Sequence, residues 1–164
     1  MAVHHHSFGK ESMTTGLIGA AIVMVWFLII DLIHGQPLAT PSILGQVILF
    51  GKAEPEVARP LLPAVAAYTG LHLAAFLLIG ALVTWLVFKA DRHNIARFAL
   101  LVLFVTFEVF FYGLLVMFFQ GSSGLFPFWS VLAANTLAAA GMGWYLFRRH
   151  PALRRALARE PLGA

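Results

Sequence analysis

Three residues capable of acid–base, hydrogen-bonding or ligand chemistry stand alone in apolar surroundings: His72, Glu108 and Asn135. Polar groups at such places are costly to bury in a bilayer and mark function by default. Tyr68 precedes His72 by four residues and Tyr112 follows Glu108 by four, so on helices each pair shares a face. Asn135, Ala139 and Gly143 recur at the same interval, a small-residue stripe suited to close helix packing with the amide turned inward. The spacing predicts a buried polar network of His72, Glu108, Asn135, Tyr68 and Tyr112, with Glu108 accepting from His72 or a tyrosine.

Three uses of such a network remain open. It could fix helix register through hydrogen bonds, or move protons with Glu108 as the exchanging group and His72 as relay. His72 could instead ligate a metal or pigment. A bis-histidine haem needs a second histidine at the same depth, and His34 lies too near the end of its run. A single axial histidine to a chlorin is geometrically undemanding. A catalytic metal site wants three ligands, and His72 and Glu108 supply two. The sequence therefore requires no cofactor and no metal. Asp31 and His34, three residues apart, share a face near one helix end and read as an interfacial polar pair or a capped terminus.

The elements that must position these groups are four long apolar runs, 15–33, 61–88, 98–119 and 126–147. A helix rising 1.5 Å per residue needs about 20 residues to cross a 30 Å hydrocarbon core. Overall 60 % of the chain is hydrophobic and 11 % charged, outside the range of ordinary soluble domains. The first run is longer than a signal-peptide core and no convincing cleavage site follows it, so it is expected to be retained. His4, His5 and His6, adjacent on a polar tail, offer no fixed coordination geometry.

Nine of the eleven Lys and Arg residues are Lys10; Lys89, Arg92 and Arg97; and Arg148, Arg149, Arg154, Arg155 and Arg159. Only Lys52 and Arg59 lie in the first loop, and the 120–125 loop has none. Basic residues favour the cytoplasmic side, which predicts both termini there, in a bacterial inner membrane. On that threading His72 lies roughly 13 Å, Glu108 roughly 16 Å and Asn135 roughly 13 Å from the outer helix ends, nearly one level.

Between the first two runs, Thr40-Pro41-Ser42 reads as a helix start, and Ile43, Leu44, Val47 and Ile48 recur at helical spacing. The expectation is a short amphipathic interfacial helix over 41–50. In the third run Phe104, Phe107, Phe111 and Phe118 approximate one face, available to partners, lipids or flat cofactors. The basic tail 148–164, with Arg148, Arg149, Arg154, Arg155 and Arg159, fits anionic headgroups.

The predicted fold is therefore all-α: a single domain of residues 1–164, an integral four-helix antiparallel bundle with the short interfacial helix. No nucleotide loop, nucleophile elbow or H-E-x-x-H helix appears. Without cysteine the chain has no thiolate or disulfide chemistry, and no surface for nucleic acid is expected. The expected function is a non-catalytic accessory subunit of a larger, energy-converting membrane complex, of electron-transfer or photosynthetic type. The alternatives are a small proton-coupled transporter or ion-conducting protein using Glu108 and His72, or a metal- or pigment-binding membrane protein with His72 as ligand.

Overall fold

Residues 8–14, too polar to belong to the first apolar run, nevertheless continue its helix toward the N-terminus. The computed structural model describes residues 7–52, 54–90, 102, 105, 109, 112–113 and 127–151. Its elements are α1 (Phe8–Ile33), α2 (Ala39–Leu44) running into a π-helical turn (Gly45–Leu49), α3 (Leu62–Ala90) and α4 (Phe128–Arg149). Among the described residues there is no strand. Both α1 and α3 are long and apolar enough to cross a membrane. Val102, Val105, Val109, Tyr112 and Gly113 are helical, and the rest of the predicted run 98–119 lies outside the described residues.

Contacts fix the relative directions. Along α1, Phe8 meets Phe88, Thr15 meets Thr84 and Ala20 meets His72, so α3 runs antiparallel to α1. Glu11 meets His150 and Trp26 meets Ser130, so α4 is antiparallel to α1 as well. The first helix is thus the shared spine of the described bundle. Its core is Ala20, Val23, Phe76, Ala134, Ala138 and Met142, with Leu73 and Ile79 packed against them.

Small residues set the α1–α3 distance. Gly16 and Gly80 lie backbone against backbone, and the Ser12 carbonyl also abuts Gly80. Ser12 Oγ is enclosed there without a hydrogen-bond partner among the described residues. Close approach through small side chains drives helix association where lipid removes the usual hydrophobic gain.

The predicted helix bounds shift for physical reasons. α1 begins at Phe8 rather than 15, because the Glu11–His150 bond and the edge-on Phe8–Phe88 contact (centroids 5.9 Å apart) hold two further turns. α4 runs 128–149 rather than 126–147, since Pro127 is extended and stands outside the helix. The short helix begins at Ala39 rather than 41, and Gly45–Leu49 widens into a π-turn where Gly45 presses on the Ala64 backbone.

One end of the bundle carries basic groups stacked on aromatic rings. Lys89 Nζ lies 4.7 Å from the Trp85 ring, and the Arg148 and Arg149 guanidiniums lie 4.2 and 5.7 Å from Trp144 and Tyr145. At the opposite end of α4 Trp129 is exposed and meets Trp26 edge-on. From Trp129 to Arg148 is roughly 28 Å of helix at 1.5 Å per residue.

Candidate functional site: a platform at one end of the bundle and the cavity beneath it

The site is built at the end of the bundle where α1 hands the chain to α2. Asp31, on the last turn of α1, is buried at 5 % exposure. Its Oδ2 accepts from the Thr40 backbone N–H at 2.9 Å and its Oδ1 from the Thr40 hydroxyl at 2.7 Å. The N-cap position of α2 is Leu38, whose side chain cannot cap, and Asp31, seven residues before it, supplies the missing acceptor. Making that turn puts Leu38 at φ +67°, the left-handed region that bulky residues avoid. His34 does not join Asp31. It is exposed, and its Nδ1–H donates to the Ile30 carbonyl at 2.8 Å, closing the end of its own helix.

Gln46 completes the platform. The side chain is fully buried, and every hydrogen-bonding position of its amide is occupied. Nε2 donates to Ser42 Oγ (3.2 Å) and the Glu56 carbonyl (3.0 Å), while Oε1 accepts from Lys52 Nζ (3.2 Å) and the Glu56 N–H (3.0 Å). Ser42 Oγ accepts in addition from the Leu61 N–H at 2.9 Å. The connection from α1 to α3 is therefore a fixed structure, tied at both ends and in the middle. Gln46 escapes a reading of the sequence as an ordinary polar position, although its spacing of three from Ile43 puts it on the buried side.

Removing the Asp31 carboxylate should loosen this platform selectively. Asp31→Ala is expected to cost about 1–2 kcal/mol and to speed amide exchange over 39–49 at least several-fold, while exchange at mid-α1 stays unchanged. Equal protection of 39–49 in both proteins would show that the cap holds nothing.

Beneath the platform, α1, α2 and α3 enclose a cavity of about 200 Å³. Its roof is Asp31, Leu38, Thr40 and Pro41, and its floor is His72. His72 is 8 % exposed. Because a carbonyl only accepts, the 3.3 Å contact between His72 Nε2 and the Ala20 oxygen places the proton on Nε2 and leaves Nδ1 as the acceptor. The ring lies between Tyr68 and Phe76, with centroids at 5.9 and 4.7 Å. Neither Nδ1 nor the Tyr68 hydroxyl has a hydrogen-bond partner among the described residues.

Tyr68 and His72 share the cavity. Asn135 is buried on α4 at 6 % exposure, between Ser130, opposite Trp26, and Met142, which lies against Gly19. Its level along α1 is thus within about one turn of Ala20, where His72 bonds. Tyr112 stacks edge-on against Phe128 at 4.8 Å, on the first turn of α4 and roughly 10 Å along that helix from Asn135. Glu108, Phe104, Phe107, Phe111 and Phe118 lie outside the described residues, as do Arg154, Arg155 and Arg159. Arg148 and Arg149 hold the cation–aromatic contacts described above.

A second polar pair lies at the opposite end. His150 Nε2 is 2.9 Å from Glu11 Oε2, both side chains are 6 % exposed, and the Phe88 ring covers the imidazole edge-on at 5.0 Å. Sequence reasoning misses this pair because Glu11 reads as part of a polar tail and His150 as part of a basic one. Among the described residues no three acidic or histidine side chains gather closely enough to hold a metal ion. Comparison with known proteins finds no matching family model, no matching curated protein and no matching solved structure.

Proposed function

We propose that this chain is a four-span membrane protein of the bacterial inner membrane that serves as a non-catalytic subunit of a larger membrane assembly, presenting the 36–61 platform to a partner. The termini and the Lys89, Arg148 and Arg149 end face the cytoplasm, and the platform faces the opposite compartment. Two helices apolar enough to cross a membrane support insertion. Cations stacked on tryptophan and tyrosine at one end of the bundle, with Trp129 roughly 28 Å away at the other, match the two interfaces of a bilayer.

The observation that carries the reading is the fixed platform. A connection that only joins two helices needs a few residues. This one is long and anchored by Asp31, Ser42 and a Gln46 amide with all its positions filled, and it exposes Leu49, Phe50 and Val57. Order of that kind suits recognition, because a pre-set surface loses little entropy on binding. Other buried polar groups bind one helix to another, as Trp26 does with Ser130 and Glu11 with His150.

Native mass spectrometry of the protein extracted in mild detergent tests the reading. The chain is expected within a larger assembly, and Gln46→Ala is expected to leave it inserted but released from its partners. A chain that runs alone in native membranes' extracts, or a Gln46→Ala variant that keeps every partner, overturns it.

A further inference from the structure

The cavity under the platform is apolar along its walls, and its lining includes His72 and Tyr68, whose Nδ1 and hydroxyl bond no described residue. Val23, Leu28 and Val65 line the walls; Met24 and Val25 line it too and are exposed on the flank of α1. In the bilayer that the proposed insertion implies, this mouth opens sideways among acyl chains. The lining on α1 extends from Val23 to Asp31, roughly 12 Å at 1.5 Å per residue. At 200 Å³ it exceeds the cavity of about 150 Å³ that accepts benzene in a well-studied apolar site.

The polar inventory states what the occupant must offer. Asp31 lies in the roof, each of its oxygens already accepting one hydrogen bond from Thr40. His72 has one lone pair left, on Nδ1, and Tyr68 has a hydroxyl able to donate. The two rings are one helical turn apart with centroids at 5.9 Å, within reach of a single head group. An unanswered polar group in apolar surroundings costs about 1–3 kcal/mol, so a partner that answers both is favoured. One uncharged hydroxyl does so: its O–H donates to Nδ1 while its oxygen accepts from Tyr68.

We propose that this cavity binds a neutral, membrane-soluble amphiphile through one hydroxyl held between His72 and Tyr68, with its apolar body along Val23, Leu28 and Val65. The head could belong to an aromatic ring, as in a phenol or quinol, or to an aliphatic lipid alcohol. The chemistry of recognition is the same.

Photolabelling of the full chain in phosphatidylcholine vesicles tests this. The probes are a phenol with a diazirine-bearing alkyl tail, an aliphatic alcohol with the same tail, and the methyl ether of the phenol. Label from at least one hydroxyl probe is expected on 23–28 and 65–72. Tyr68→Phe, which keeps the ring packing and the His72–Ala20 bond, should reduce it about tenfold, as loss of one well-formed hydrogen bond implies. His72→Gln should do the same, with circular dichroism confirming that both variants remain helical. The methyl ether, unable to donate, should label these segments no more than the exposed flank at Ile29 and Leu78. Preference for the phenol assigns a ring hydroxyl, and preference for the alcohol a lipid one. Label spread along the exposed flanks, equal labelling by the ether, or no response to Tyr68→Phe would overturn the proposal and leave the cavity to water. Native mass spectrometry of the assembly is indifferent to that outcome, so the two readings fail separately.

Discussion

Replacing Gly16 by valine should force α1 and α3 apart and substantially lower the protein's resistance to unfolding. A Cβ at Gly16 would fall 2.6 Å from the Phe76 carbonyl oxygen and 2.8 Å from the Leu77 Cα. One at Gly80 would fall 2.5 Å from the Gly16 nitrogen and 2.6 Å from the Ser12 oxygen. These are backbone atoms, which cannot rotate away as a side-chain terminus can. The helices themselves must part, and the contacts they lose include Thr15 with Thr84 and the His72 bond to Ala20. Overpacking a close interface typically costs 1–3 kcal/mol, and here the interface is that of the central helix, so about 3 kcal/mol is expected for Gly16→Val and for Gly80→Val. Thermal unfolding in detergent, followed by circular dichroism, reads this as a large fall in Tm. Gly70, also on α3, has no neighbour within 4 Å of where a Cβ would stand, and Gly70→Ala should leave the Tm unchanged or raise it. If Gly16→Val and Gly70→Ala melt together, the close crossing is not what holds α1 to α3.

The second large effect is expected at the Glu11–His150 pair. Each partner is 6 % exposed and the pair is covered by Phe88. Removing one member of a buried pair takes a close answering group from the other, at a cost of about 3 kcal/mol. Glu11→Ala and His150→Ala should each lose that amount, and both should fray the first two turns of α1, which begins seven residues before the apolar sequence requires. Replacing both by leucine restores apolar packing and removes both halves of the pair together, so the double variant should recover most of the single losses. A double-mutant cycle measures this coupling directly. Losses that simply add, single to double, would mean that the two side chains do not stabilise each other.

Much of the architecture is legible in the sequence because one force dominates it. Long apolar runs must be satisfied internally as helices, and their lengths follow from the rise per residue. The 61–88 run and α3 (62–90) nearly coincide, and the first run and α1 share their end at Ile33. The short helix after Gly35 is legible from the spacing of Ile43, Leu44, Val47 and Ile48. Its start is not, because the residue that caps it, Asp31, sits nine positions back in a different element, and only the turn through Leu38 brings the two together.

The polar residues divide along the same line. Sequence spacing identifies Tyr68 and His72 as sharing a face, since four residues on one helix are neighbours by geometry alone. It does not assign His72 its partner: a main-chain carbonyl at Ala20 carries no side-chain signal, and any residue there would present the same oxygen. Glu11, Gln46 and His150 stay hidden for a related reason. Each looks like a solvated polar position in its own segment and becomes buried only when a distant segment covers it.

Helix identity and length are local properties of this chain, fixed by runs of apolar side chains and read without coordinates. Which polar atoms meet, and which stay unanswered at the cavity floor, depends on how far apart the helix axes lie and how each is rotated. Those quantities are set by the Gly16–Gly80 crossing and by the tethered platform. They arise from packing between separate segments, 64 residues apart at the Gly16–Gly80 crossing and nine to nineteen in the platform, so they belong to the tertiary structure alone.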